Sequence, residues 1–394
     1  MDVQVVDWLA LVTRWLHIIF GAAWIGTSFY FNWLNNHIRP VLSGKPPAGV
    51  EGELWSIHGG HFYQVVKYEV APPELPKLLH WFKYEAYFTW VTGAALLVLV
   101  YYLEPTAYLV DRRVANLAPA LAIGVGVGTL VVGWLVYHAL CKSPLGRYPV
   151  PFALVGFALM TGAAYGLSEV FGARAAYMHV GALIGTIMAW NVFFVIIPSQ
   201  KRAVEAMTKG EAPDPSLGRA AAQRSLHNNY LTLPVLFIMV SNHYPMTFQH
   251  AWGWALLAGI SLVGAAVRHW FNLRGQGKKN VWILPVAAAG MLGLALVSAP
   301  RSTEYEGEVT FAMVRDIVER RCVECHSAQP TSTLYPTAPQ GIVFDQPSEI
   351  VDRAARIHNQ VVVTQQMPLS NLTGMTDEER AILGAWFRRG APGP

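Results

Sequence analysis

The chain has 394 residues, of which 53% are hydrophobic and 14% are charged, with a mean hydropathy of +0.31 and a formal net charge of +4. Soluble domains carry about 25% charged residues, so this composition excludes an ordinary soluble globular protein. It predicts a protein that lies in a lipid bilayer, with a small soluble appendage and with no nucleic-acid partner.

Apolar stretches of about 20 residues indicate transmembrane helices, because that length crosses the hydrocarbon core. The sequence predicts eight such spans, at residues 7–34, 84–103, 117–139, 150–170, 175–197, 220–242, 249–271 and 280–300. The expected fold is therefore all-α. An eight-helix transmembrane bundle occupies residues 1–302, and a soluble domain occupies residues 303–394.

Lys and Arg are distributed unevenly among the predicted loops. Cytoplasmic loops of membrane proteins are enriched in Lys and Arg. The basic residues concentrate in loops 35–83, 140–149, 198–219 and 272–279, whereas the loops that connect spans on the other side of the membrane hold only Arg112, Arg113 and Arg174. With eight spans, this distribution predicts both termini on the outer side of the membrane, which is the periplasm for the expected location in a bacterial inner membrane.

The first span carries a polar stripe. The stripe consists of Arg14, His17, Gly21, Trp24 and Ser28, whose spacings of three and four place them on one helix face. Polar residues inside a span are costly and indicate function. His17 is a candidate ligand of a b-type haem with Arg14 beside a propionate, or else a buried histidine hydrogen-bonded to a neighbouring helix.

Further histidines fall into two groups by their depth in the predicted bundle. Those near the outer face are His179, His243 and His250, and those near the inner face are His138, His227 and His269. One or two b haems held between helices would give electrons a path outward, and His179 is a second candidate ligand. For each histidine, an ordinary hydrogen-bonded or interfacial position is the alternative.

Two other segments stand out. The first inner loop is 49 residues long by the predicted bounds and contains His58 and His61, which are too few for a metal site; it is expected to form a folded cap. Span six begins with polar residues at 227–230, and Pro234 is expected to kink it. This helix either contacts a ligand or simply has two polar caps and a tolerated proline.

Cys322, Cys325 and His326 form C-x-x-C-H, the attachment motif of covalent haem c. The two thiols would form thioethers, His326 would ligate the iron, and Met367 is the candidate for the second axial ligand. A thioredoxin-like motif or a zinc half-site is the alternative, but no βαβ pattern surrounds the motif and no second ligand pair completes a zinc site. Helices are predicted at 309–320, at 347–360 and after the N-cap Thr376, which is the plan of a class I-like cytochrome c.

The whole chain resembles the bacterial membrane-bound urate hydroxylases of the PuuD type. The residues that carry the resemblance are Trp15-Leu-His-Ile-Ile-Phe-Gly-Ala-Ala-Trp24, His58-Gly-Gly-His61-Phe-Tyr63, Leu79-His-Trp-Phe-Lys-Tyr84, His179-Val-Gly-Ala-Leu-Ile-Gly185 and His227-Asn-Asn-Tyr230, followed by the haem c motif. The resemblance implies oxidation of urate to 5-hydroxyisourate, with electrons passed to the respiratory chain through a soluble cytochrome c or a terminal oxidase. The first motif is also similar to the membrane protoporphyrinogen oxidase family, whose matching histidine is a haem ligand, which favours His17 as a ligand here. No catalytic residue is carried over.

Two other functions are compatible with the composition. One is a quinol-oxidising haem electron carrier, and the other is a haem-based sensor or a non-catalytic haem subunit of a larger oxidase. If urate is the substrate, its site is expected either near His227, Asn228 and the loop histidines or in the outer half near His243.

Overall fold

The computed structural model describes residues 3–42, 48–112, 114–299, 305–332 and 335–394. Most of these residues are helical. The predicted boundary between the two domains, at residues 302 and 303, lies outside the described residues. The division into two domains therefore stays a prediction.

Helices occupy all eight of the predicted spans. They are α1 (Val3–His37), α2 (Tyr84–Leu97), α4 (Pro119–Lys142), α5 (Pro149–Ser168), α6 (Ala173–Asn191) with α7 (Ile197–Thr208), α8 (Pro215–Ser241), α10 (Gly253–Gly275) and α11 (Ile283–Val297). Short helices α3 (Pro105–Tyr108) and α9 (Pro245–Phe248) lie between them. A π-helical turn extends α2 to Tyr102, and another joins α6 to α7.

By length and composition, six helical segments among the described residues can cross a membrane. The other two predicted spans are α8, which carries many polar residues, and α11, which is apolar but only 15 residues long. The eight-span topology therefore stays a prediction. Pro234 lies inside α8 without ending it, and the helix runs on to Ser241.

Helix α6 lies at the centre of the bundle. In the segment Ala173–Thr208, 56% of the apolar window is buried, whereas the other five segments reach at most 22%. α6 packs against α4, α5 and α8. The contact with α8 is close, because a Cβ on Gly181 would lie 2.6 Å from Ile238 Cγ2.

The first inner loop contains a β-hairpin, so the prediction of an all-α fold is wrong in this segment. Strand β1 (Val50–His58) pairs antiparallel with β2 (His61–Tyr68), and His58 lies opposite His61. Gly59 and Gly60 have φ of +57° and +81° and form the two-residue turn. Tight hairpin turns of type I′ require positive φ at both positions, which glycine adopts without steric cost.

The described C-terminal residues pack around a separate hydrophobic cluster. Its helices are α12 (Phe311–Arg321), α13 (Pro347–Asp352), α14 (Ala354–Ile357) with a π-helical turn to Val363, and α15 (Asp377–Arg388). Val314, Val318, Leu383 and Trp386 are almost fully buried in the cluster. The predicted N-cap is confirmed, since Thr376 Oγ1 accepts from Glu379 N and the Glu379 carboxylate accepts from Thr376 N.

Candidate functional site

A cavity of about 400 Å³ opens between the C-terminal ends of α1 and α10. Its walls combine aromatic rings, amides and two guanidinium groups. The lining residues are Phe29, Asn32, Trp33, Asn36, His37, Arg268, Phe271, Asn272, Arg274 and Gly275. Small-molecule sites occupy about 300–1,000 Å³ and have this mixture of apolar walls and few polar groups.

Asn229 of α8 holds the polar wall of this cavity together. Its Nδ2 donates to Asn32 Oδ1 and to Asn272 Oδ1, each at 3.0 Å, and its Oδ1 accepts from Arg268 Nε. The Asn229 side chain is fully buried. Because both ends of the amide are bonded, α1, α8 and α10 are locked in one arrangement at this level.

Arg268 presents a buried positive charge without a counter-charge. It is only 8% exposed, and its guanidinium lies 4.2 Å from the centroid of the Phe29 ring. Within the described part of the chain it forms no ion pair with a carboxylate. Burying an uncompensated charge costs several kcal/mol, so an anion in the cavity would be strongly stabilised by this group.

Asn272 supplies a second unmatched donor at the same wall. Its Oδ1 accepts from Asn229, while its Nδ2 is buried without a hydrogen-bond partner. A buried donor left unsatisfied costs about 1–3 kcal/mol, which a ligand oxygen would recover. With the rings of Phe29, Trp33 and Phe271, the cavity fits a flat anion that carries carbonyl oxygens.

His17 lies at the contact between α1 and α2. Its Nδ1 is 3.0 Å from Thr89 O and 3.0 Å from Thr92 Oγ1. Since a carbonyl oxygen can only accept, Nδ1 carries the proton and Nε2 keeps its lone pair, which is the tautomer that a metal-ligating histidine uses. Gly93 faces the ring, where a Cβ would lie 3.0 Å from His17 Cε1.

His179 is fully buried in α6, and both its ring nitrogens are occupied. Nδ1 lies 2.8 Å from Ala175 O, and Nε2 lies 3.0 Å from Tyr102 Oη. A Cβ on Gly126 would lie 2.7 Å from Nε2, so the helices approach closely here. His179 could therefore ligate a haem only if the Tyr102 hydroxyl moved away. Its role as a ligand stays a prediction.

The C-x-x-C-H segment follows directly after α12. His326 Nδ1 lies 3.0 Å from Ile342 O, so this nitrogen is the donor and Nε2 is available to an iron. Cys322 and Cys325 are free thiols, and burial raises the pKa of Cys322 to about 12. Met367 and Cys322 pack against the same hydrophobic cluster. The assignment of these residues to a covalently held haem c stays a prediction.

Hydrogen bonds between described residues connect the C-terminal unit to the helix bundle. Tyr335 Oη lies 3.1 Å from Tyr108 Oη at the end of α3, and Gln249 Nε2 donates to Gln365 O at 2.9 Å. Gln365 lies two residues before Met367, and Tyr335 follows the C-x-x-C-H motif. Tyr335 and Gln365 therefore lie on the side of the C-terminal unit that faces the bundle.

The remaining histidines do not assemble into one site. His58 and His61 are exposed at the tip of the hairpin. His227 hydrogen-bonds to Tyr137 and His269 to Tyr230, while His243 is exposed. Across the residues that the structure describes, no group of three or more His, Cys, Asp or Glu could hold a metal ion.

Sequence reasoning did not identify the residues of the cavity. The polar stripe of α1 in fact continues at spacings of four from Ser28 to Asn32 and Asn36. Arg268 and Asn272 repeat the same spacing in α10. An arginine followed one turn later by an asparagine inside an apolar helix was the sequence feature that could have indicated this site.

One family model matches the chain. Residues 3–299 match the family described as "Urate oxidase N-terminal", which covers the whole helix bundle including the cavity around Arg268. Neither a curated protein nor a solved structure matches the chain.

Proposed function

Because the chain belongs to the urate oxidase N-terminal family, we propose that it is a membrane oxidoreductase that converts urate to 5-hydroxyisourate. Electrons would pass through haem to the respiratory chain, with a soluble cytochrome c or a terminal oxidase as the acceptor. The protein would lie in the bacterial inner membrane with both termini in the periplasm. Six apolar helical segments support the placement in a membrane.

The cavity around Arg268 is the observation that carries this proposal. Urate is a planar anion with carbonyl oxygens and ring N–H groups. Arg268 would pair with its negative charge, and Asn272 Nδ2 would donate to a carbonyl oxygen. The rings of Phe29 and Trp33 would line its flat faces. A guanidinium is suited to such planar acceptors because its donors form a rigid fork.

The reaction combines urate with one water and releases 5-hydroxyisourate, two protons and two electrons. This chain's own residues would bind and orient the purine and keep it in a partly enclosed cavity. Donors that are already fixed around a developing charge stabilise it without reorganisation. Asn229 supplies that rigidity here, because it holds both Arg268 and Asn272.

Haem c would be held by thioethers to Cys322 and Cys325, and His326 and Met367 would ligate its iron. His17 and His179 are the candidates for one or two b haems. When bound, haem takes up electrons one at a time, which suits a two-electron oxidation in two steps. The free Nε2 positions of His326 and His17 support these assignments.

An anaerobic visible spectrum of the purified full-length protein, before and after urate, tests the proposal. Urate is expected to reduce the haem c of the wild-type protein.

Arg268→Gln should raise the urate concentration for half-maximal reduction about 30-fold or more, since losing one partner of a buried charge contact costs 2–5 kcal/mol. Arg268→Lys keeps the charge but loses the fork, so its effect should be intermediate. Arg219→Gln, an exposed position on α8, is the matched control.

Each other outcome has a distinct meaning. Reduction by a quinol but not by urate would replace the proposal with a quinol-oxidising electron carrier. Reduction by dithionite alone would indicate a sensor or a non-catalytic haem subunit. Normal urate kinetics in Arg268→Gln would place the substrate elsewhere in the bundle.

A further inference from the structure

A second buried arginine lies on the opposite side of α8 from the substrate cavity. Arg224 is 3% exposed and points toward α4. Its guanidinium carbon lies 4.9 Å from the centroid of the Tyr137 ring, and its Nη2 lies 3.4 Å from His138 Nδ1. Like Arg268, this residue is a charge that the fold has taken out of solvent.

The groups around Arg224 do not neutralise it. The nearby titratable side chains are Tyr137, His138, Cys141, Lys142 and His227. They include one further cation and no carboxylate, and Arg224 forms no ion pair within the described ranges. The contacts with the Tyr137 ring and with His138 Nδ1 offset part of the cost of burial but leave the charge without a counter-charge. The fold therefore leaves net positive potential at this point.

Two hydrogen-bond donors at this point have no partner. They are Arg224 Nη1 and Trp134 Nε1, and both are buried. Both residues contact His138, because the Trp134 ring stacks on the imidazole with centroids 4.8 Å apart while Arg224 Nη2 lies 3.4 Å from its Nδ1. Unpartnered buried donors are rare in folded proteins, and two of them beside one uncompensated cation indicate an absent acceptor.

We propose that Arg224 Nη1 and Trp134 Nε1 bind a small inorganic anion of the halide class. The site offers donors and positive charge, which excludes a cation as the occupant. Its rings pack on one another, with Trp134 and Trp190 centroids 5.4 Å apart, so a purine does not fit between them. The anion neutralises Arg224 inside the bundle and ties α4 to α8.

Bromide titration of the full-length protein in detergent tests this site. The thermal midpoint of the wild-type protein should rise with the logarithm of bromide concentration, relative to sodium gluconate at equal ionic strength. Arg224→Gln should lose this dependence. Arg219→Gln, an exposed arginine on the same helix, should retain it.

A milder variant covers the case in which Arg224→Gln does not fold. Trp134→Phe removes one donor and keeps an aromatic ring, so the bromide concentration for half of the effect should rise about tenfold. In addition, anomalous diffraction from bromide-soaked crystals of the wild-type protein should show a peak within hydrogen-bonding distance of Arg224 Nη1.

Three results would overturn the inference. The first is an equal shift in bromide and in gluconate, which would be a general salt effect, and the second is the lack of an anomalous peak at Arg224. The third is displacement of bromide by urate together with loss of urate reduction in Arg224→Gln, which would make Arg224 the substrate ligand. Normal bromide binding without reduction of the haem by urate would instead support the anion site and contradict the proposed function.

Discussion

Asn228 and Asn229 are adjacent on α8, yet their side chains bond to different parts of the bundle. Asn228 accepts from Asn191 Nδ2 at 3.1 Å and donates to Met188 O at 3.0 Å, both on α6. Asn229 instead bonds to α1 and α10. Because successive helical residues point about 100° apart, the two adjacent asparagines face different neighbours, and only Asn229 faces the Arg268 cavity.

This separation predicts effects of different size for the same chemical change at neighbouring positions. Asn229→Asp places a carboxylate against Arg268, which neutralises the cation that urate would need. The urate concentration for half-maximal reduction of haem c should rise at least about tenfold, which corresponds to 1.4 kcal/mol. Asn228→Asp faces α6 and should change it less than about twofold. Equal effects of the two variants would contradict the separation.

The assignment of His17 predicts a selective spectral loss. His17→Gln should remove the b-type α-band and leave the c-type band intact, because Nε2 of His17 is the free ring nitrogen at the contact between α1 and α2. His269→Gln is the matched control, since His269 is exposed and hydrogen-bonded to Tyr230. A pyridine haemochrome count of both variants measures the result. An unchanged b-type content in His17→Gln would remove His17 as a ligand.

Met367 is expected to set the potential of haem c. Replacing an axial methionine by histidine lowers the reduction potential of a c-type haem. A potentiometric titration of Met367→His should therefore give a lower midpoint with the haem still covalently attached. Met375→Leu changes a buried methionine of the same hydrophobic cluster and should leave the midpoint unchanged. The assignment of Met367 would be wrong if both variants kept the wild-type midpoint.

The carboxylate of Glu379 should make the C-terminal unit sensitive to acid. Burial alone would raise the pKa of Glu379, but the Thr376 backbone N–H and the Arg321 and Arg320 guanidinium groups outweigh it and lower this pKa. A lowered folded-state pKa gives stability that is present above the unfolded carboxyl value of about 4.3 and lost as pH falls through the folded value.

Thermal unfolding followed at the Soret band measures this effect. The thermal unfolding midpoint of the wild-type protein should decrease at pH values below about 4. Glu379→Gln should lower the thermal midpoint at pH 7, because the free energy of unfolding decreases by about 2 kcal/mol. The variant should also show a weaker decrease of the midpoint at acid pH. Glu378→Gln, an exposed neighbour in the same first turn of α15, is the control. A wild-type acid profile in Glu379→Gln would exclude this carboxylate as the cause.

Local sequence features predicted the helices and the cap of α15, whereas pairing across the chain was not predictable. The apolar runs gave the helix positions because hydrophobic length is a property of one segment. The Gly59-Gly60 turn was also a local signal, and the flanking aromatic and β-branched residues were compatible with strands. The cavity joins Asn32 to Arg268, more than 200 residues apart, through Asn229. A contact between such distant helices cannot be predicted from the residue spacing within one helix.

The hydrogen bond between Tyr108 and Tyr335 holds the C-terminal unit against the helix bundle. Between Val297, the last residue of α11, and Phe311, the first residue of α12, 13 residues extend at most about 45 Å. The C-terminal unit therefore stays at a high effective concentration beside its own bundle and cannot serve as a diffusing shuttle. Under the proposed function, an external electron acceptor would therefore have to come to the protein instead of meeting a released C-terminal unit.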